Sequence, residues 1–245
     1  MNKPVTPCSD PRMNQLLSAL PDAEWERWKP YLEAVDLSRG QVLSESGRTP
    51  AYVYFPTTAV VSLLYMTEDG ASSEIAVVGN DGLVGISLFM GGNTTPSQAM
   101  VQSAGQGYRL RAQQVTSEVE RGGAVLQMLL RYTQALMSQV AQTAACNRYH
   151  SIDQLLCRRL MMGLERQRTD ALLMTQELLA SLLGVRREGV TAAALKLQQD
   201  GVIRYSRGRI DVLDRQQLAQ RSGQRNRPAV QEYHARAPVT MALAA

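Results

Sequence analysis

Residues 172–199 constrain the fold more than any other part of the chain. In Met174-Thr175-Gln176-Glu177-Leu178-Leu179-Ala180-Ser181-Leu182-Leu183-Gly184-Val185-Arg186-Arg187-Glu188, Thr175 can cap a short helix, because its hydroxyl accepts the free N–H groups of the first turn. Ala180 stands where two helices cross so closely that only a small side chain fits. Gly184 supplies the left-handed residue of a tight turn. Leu179, Leu183, Val185, Val190 and Ala193 are spaced so that both helices bury one shared face. The result is a helix-turn-helix whose second helix runs from Arg186 to Gln199. Asp200-Gly201 stops that helix, and Val202-Ile203-Arg204-Tyr205, a Ser206-Arg207-Gly208-Arg209 turn and Ile210-Asp211-Val212-Leu213 form a hairpin behind it. A hairpin with arginines at its tip, placed directly after such a helix, is a wing.

The second helix exposes Arg186, Arg187, Glu188 and Thr191 on its first turns. In helix-turn-helix proteins this is the end that meets base edges in the major groove, where arginine grips guanine and glutamate accepts from cytosine. Arg187 and Glu188, with Thr191 beside them, are therefore the candidate base readers. Thr175, Gln176, Arg186, Arg207 and Arg209 are suited to holding phosphates and setting register. Charge agrees: residues 148–245 hold 16 Lys/Arg against 9 Asp/Glu, whereas residues 1–147 hold 10 against 13. The basic half is almost entirely arginine, whose flat fork suits phosphate and guanine, so a polyanion such as double-stranded DNA is the expected partner.

Upstream, Asn14 to Leu37 carries apolar residues at helical spacing, with Pro21 as a first-turn residue and Trp25, Trp28 and Leu32 on one face, which predicts two short helices. From Gly40 to Arg111 the pattern changes to short β-rich runs at 51–55, 59–66, 74–78 and 99–102. Gly47, Pro50, Pro56, Glu68-Asp69-Gly70, Asn80-Asp81-Gly82, Gly91-Gly92-Asn93 and Gly105-Gln106-Gly107 punctuate them as turns, the signature of a small antiparallel sandwich or barrel. Gly79, Gly82 and Gly85 do not form a phosphate loop, since no lysine follows and no βαβ unit surrounds them.

After Gly122-Gly123 there is no Gly or Pro up to His150, which predicts a long helix. Leu126, Leu130, Thr133, Met137, Val140, Ala144 and Asn147 recur in steps of 4, 3, 4, 3, 4, 3, the seam of a two-helix coiled coil and the expected interface of a homodimer. The other reading of this stripe is packing on its own β domain. A further helix, Ser151 to Gln167, leads through Arg168-Thr169-Asp170 into the helix-turn-helix.

The 245 residues, 44% of them apolar, suffice for about two compact units. The opening residues lack an apolar leader stretch and the longest near-apolar run, Ala59 to Met66, is too short to span a bilayer, so a cytoplasmic protein without membrane contact is expected. Cys8, Cys146 and Cys157 form no CxxC pair, which argues against disulfides and zinc. No nucleophile with a nearby histidine and acid stands out, so no catalytic residue, metal or cofactor is expected. A non-enzymatic alternative is a small-molecule-binding or scaffold module that uses its winged helix for protein contacts.

The segment Thr175 to Val190, followed by Gly201-Val202-Ile203 and the wing strand Arg207-Gly208-Arg209-Ile210, resembles the Crp/Fnr family of bacterial transcription regulators over residues 151–215. The order β domain, long helix, winged helix extends the likeness to nearly the whole chain. The resemblance implies an α+β protein: a tail (1–13), a cyclic-nucleotide-binding-like jelly-roll sensor (14–112), a dimerisation helix (113–150), a winged helix-turn-helix (151–215) and a basic tail (216–245). It also implies a palindromic operator and RNA polymerase as a partner. Two departures stand out. Ala192 occupies the place of a second basic reader, and Arg186 that of a Ser/Thr helix cap. Cyclic-nucleotide binders use a Gly-Glu pair for ribose and an Arg-Ser pair for phosphate; here those segments read Gly85-Ile86 and Ser97-Gln98. A phosphate buried without a cation is prohibitively costly, so cyclic AMP in the usual mode is not expected and the effector is left open. The iron-sulfur branch needs an N-terminal cysteine cluster, and Cys8 is alone there; His150 and His234 give little support for haem.

Overall fold

A computed structural model describes residues 10–68, 72–92, 94–167 and 171–223. Cys8, the Asp69-Gly70 turn, Asn93, the 168–170 link, His234 and the tail arginines Arg225, Arg227 and Arg236 lie outside the described residues.

Two short helices open the chain, α1 (Gln15–Ser18) and α2 (Asp22–Trp28). The Asn14 carboxamide oxygen accepts from the backbone of Leu16 and Leu17, and Pro21 occupies the capping position before Asp22. The helical stretch ends earlier than its spacing suggested. Residues Glu33–Leu37 form strand β1, in which Ala34 and Asp36 are exposed and Val35 and Leu37 turn inward, and which is held by pairing with a distant strand.

Six more strands follow: β2 (Val42–Ser44), β3 (Tyr52–Pro56), β4 (Val60–Met66), β5 (Ser72–Val78), β6 (Ser97–Ser103) and β7 (Gly105–Arg111). They form two antiparallel sheets, ordered β1-β7-β3 and β2-β6-β4-β5. Leu37 of one sheet and Val61, Val78, Ala99 and Val101 of the other share one buried cluster, so the two sheets face each other. Gly105-Gln106-Gly107, expected as a turn, instead begins β7. A side chain on Gly105 would come within 2.5 Å of the Ala59 nitrogen, so glycine here permits close backbone approach inside a strand.

The segment 113–150 holds two helices, the second of them the long helix expected after Gly122-Gly123. α3 (Ala112–Arg121) stops at Gly122-Gly123, both with positive φ, and α4 (Ala124–Tyr149) continues for 26 residues. Val125, Leu129, Tyr132 and Leu136 of α4 are buried with Trp28, Phe55 and Leu110 in the β domain's core. The Tyr132 hydroxyl donates to the Leu83 carbonyl at 2.8 Å.

The C-terminal unit comprises α5 (Ile152–Gln167), β8 (Ala171–Leu173), α6 (Gln176–Leu183), α7 (Arg187–Gln199), β9 (Ile203–Ser206), β10 (Arg209–Val212) and α8 (Arg215–Arg221). β8 adds a third strand to the wing, giving the order β8-β10-β9. α8 is no loose tail: Leu218 is fully buried in the core that also holds Leu156, Leu160, Leu179, Val190 and Ile210. Arg221 at its end pairs with Asp200. This unit rests on the β domain, with the Ser181 and Ser72 hydroxyls 2.7 Å apart and Arg159 Nε 2.9 Å from Glu74 Oε1.

Candidate nucleic-acid interface

α6 begins because Thr175, in extended conformation, lets its hydroxyl accept from the Leu178 backbone at 3.1 Å. It ends because Gly184 adopts φ 64°, ψ 35°, a conformation that costs other residues about 1 kcal/mol or more. The reversed chain then lets Val185 N–H donate to the Ala180 carbonyl at 3.1 Å. Ala180 is buried at this crossing, as are Leu179 and Leu183, and Val190, Ala193 and Leu197 of α7 close the same face. Burying α7's apolar stripe fixes which way its polar side points.

Outward, on the first turn of α7, stand Arg187 and Glu188, with Arg186 at the capping position just before them. Arg186 makes no side-chain cap, so the first backbone N–H groups of α7 keep their capacity for an anion. The Arg187 side chain is 63% exposed and its nearest carboxylate, Glu177, lies 3.8 Å away at a still more exposed position. Such a pair contributes on the order of 0–1 kcal/mol and yields readily to a stronger anion. Thr191 is less open than its spacing suggested. It is half-buried, and its hydroxyl lies 2.8 Å from Gln176 Oε1 and 3.0 Å from the Arg187 carbonyl. Thr191 and Gln176 thus brace the two helices against each other.

The wing reaches the same region. Arg207 (φ 48°) and Gly208 (φ 77°) both take left-handed conformations, making the tight turn that suits a two-residue hairpin. The Gly208 carbonyl accepts from Met174 N at 2.8 Å, tying the tip to the start of the helix-turn-helix. Tyr205 donates its hydroxyl to the Met174 carbonyl at 3.0 Å, and burial raises the phenol above its ordinary range, so it stays a donor. The Arg209 guanidinium is 2.8 Å from Asp211, which holds its proton more firmly and offsets its charge.

Thr175, Gln176, Arg187 and Arg207 therefore line one open groove of about 440 Å³. Arg186 and Glu188 are exposed on the helix start but do not line it, and Arg209 is turned to Asp211. Tyr205 and Glu177 also line the groove, and sequence reasoning missed both. Glu177 adjoins Gln176 and reads as an ordinary first-turn acid. Tyr205 was legible only as a strand residue, since its contact with Met174 spans 31 positions.

The proposed seam on α4 is partly open. Leu130 and Met137 are 51% and 63% exposed, Ala144 and Asn147 are exposed, and Leu126 and Val140 are half-buried. Thr133 differs: it is buried at the edge of the inward stripe, its hydroxyl donating to the Leu129 carbonyl at 3.0 Å. The seven positions thus run along a stripe beside the one that packs on the β domain, and Thr133 lies where the two stripes meet. Among the described residues, no group of three or more His, Cys, Asp or Glu side chains could hold a metal ion, and no helix is long and apolar enough to cross a membrane.

Residues 154–221 match the Crp-like helix-turn-helix domain family. Solved structures with the same fold include a transcriptional regulator of the Crp/Fnr family from Eubacterium rectale, described as putative by its determination (TM-score 0.71, 16% identity, covering 86% of this chain and 99% of that one). The c-di-GMP-responsive global regulator CLP of Xanthomonas campestris superposes with a TM-score of 0.65 at 14% identity over 79% of this chain and 100% of its own. A Crp/Fnr-family regulator from Thermus thermophilus does so with a TM-score of 0.65 at 19% identity, over 79% and 100%. A search of curated protein sequences found no match.

Proposed function

For a chain that carries a Crp-like helix-turn-helix domain within the fold of Crp/Fnr regulators, we propose sequence-specific binding of double-stranded DNA and regulation of transcription as a homodimer. The observation that carries this reading is the exposed Arg187–Glu188 pair at the start of a helix whose other face is sealed in the core, beside a groove that Arg207 of the wing completes. Arg187 and Glu188 read base edges, and Thr191 supports them through Gln176. Thr175, Arg186 and Arg207 hold phosphates. Arg209 joins them only if phosphate displaces Asp211.

Two copies paired along the exposed α4 stripe present two reading helices to a palindromic operator, with RNA polymerase as the further partner. The β domain is suited to a signal other than cyclic AMP in its usual mode. Gln98, in the segment where cyclic-nucleotide binders carry the phosphate cation, donates its amide to Glu45 at 2.8 Å. A cyclic phosphate placed there meets a carboxylate in place of the cation, which is unfavourable.

A gel-shift titration with genomic fragments tests the proposal. The expected result is sequence-selective, salt-sensitive binding that Arg187→Ala weakens about 5- to 150-fold, the equivalent of 1–3 kcal/mol for a bidentate base contact. Binding that Arg187→Ala and Glu188→Ala leave untouched overturns it.

A further inference from the structure

α5 carries three arginines into the seam between the C-terminal unit and the β domain. Two are matched. Arg159 lies 2.9 Å from Glu74 and also donates to Gln102, while Glu74 accepts from the Ser62 hydroxyl. Arg166 is 3.3 Å from Asp81 and donates to the Val77 carbonyl. The third, Arg158, is only 7% exposed, and its Nε has no hydrogen-bond partner. Burial lowers its pKa, Arg166 repels it, and Glu74, the carboxylate that counters this, is already engaged by Arg159. Among the described residues, the carboxylates ion-paired with these guanidinium groups are Glu74 and Asp81, and neither is ion-paired with Arg158. A water molecule would satisfy the free N–H but would leave the charge uncompensated.

Arg158 borders a small pocket lined also by Arg159 and by the Glu74 carboxylate that Arg159 engages, and by Thr143 and Asn147 of α4 and Met162 of α5. Its free interior is about 20 Å³, room for one water-sized occupant. We propose that this pocket binds a single chloride-sized inorganic anion, paired with Arg158 and able to accept from the Thr143 hydroxyl and the Asn147 amide at its rim. The site lies where α4 gives way to α5, so an anion there fastens the C-terminal unit to the β domain and sets the angle at which α7 is presented. The site is independent of whether that helix reads DNA.

Thermal unfolding of the full chain at constant ionic strength, with gluconate replaced stepwise by chloride, tests this, together with bromide-soaked crystals. The expected results are a saturable rise in Tm that Arg158→Met abolishes and a bromide anomalous peak in contact with the Arg158 guanidinium. No chloride-specific rise, a rise that persists in Arg158→Met, or bromide found only elsewhere, an adventitious ion only, overturns the proposal. Should Arg158→Met not fold, the bromide peak in the unsubstituted protein decides alone.

Discussion

Cys157 is fully buried beside Leu156 and Leu160, and burial pushes its thiol from an ordinary value of 9.0 up to about 11. Below pH 9 both folded and unfolded chains hold the proton and the group is neutral in its effect. Between the two values the unfolded chain ionises while the folded one does not, so the stability that the neutral thiol preserves is lost as pH rises through this window. Unfolding midpoints of the native protein should therefore fall more steeply between pH 9 and 11 than those of Cys157→Ala. Parallel curves would show that the thiol is not sealed from solvent. At this same scale the sequence was most readable where chemistry leaves one choice. Thr175 caps, Gly184 turns left-handed, and Val190 seals the face opposite Arg187. Thr191 was not readable in full, because its hydroxyl meets Gln176 across the elbow.

Among the elements, α4 has two neighbouring stripes, one sealed on the β domain through Leu129 and Tyr132 and one left open through Leu130 and Met137. Burying Met137 against a second copy contributes about 1.5–3 kcal/mol. Met137→Glu should shift sedimentation from dimer toward monomer with roughly 10- to 150-fold weaker association. A dimer of unchanged strength would assign the contact to another surface. The heptad count identified the open stripe but could not see that Thr133 belongs to its neighbour, since a step of three or four fits either edge. The strands β3 to β6, short runs with aromatic or β-branched residues set between turn signals, were legible. Three were not: β7 starts on Gly105 and carries a second glycine at 107, β8 has three residues, and β1 follows helices without a Gly or Asp turn. Each of these is held by pairing with a distant segment, as Glu33 with Arg109 and Leu172 with Ile210, which local propensity does not encode.

At the scale of the molecule, the order of β domain, long helix and winged helix followed from periodicity and resemblance, whereas the seat of one unit on the other did not. Its contacts join α5 and α6 to β5 through residues such as Arg159 and Glu74, 85 positions apart, and two adjacent arginines in a sequence read as solvated charge. The central claim remains that paired reading helices straddle one face of a duplex. Selection of bound sites from random double-stranded DNA tests it most directly. The account predicts enrichment of inverted repeats whose half-sites are centred about 34 Å, roughly 10 base pairs, apart; the recovery of unrelated sequences, or of lone half-sites without a mirrored partner, would contradict it.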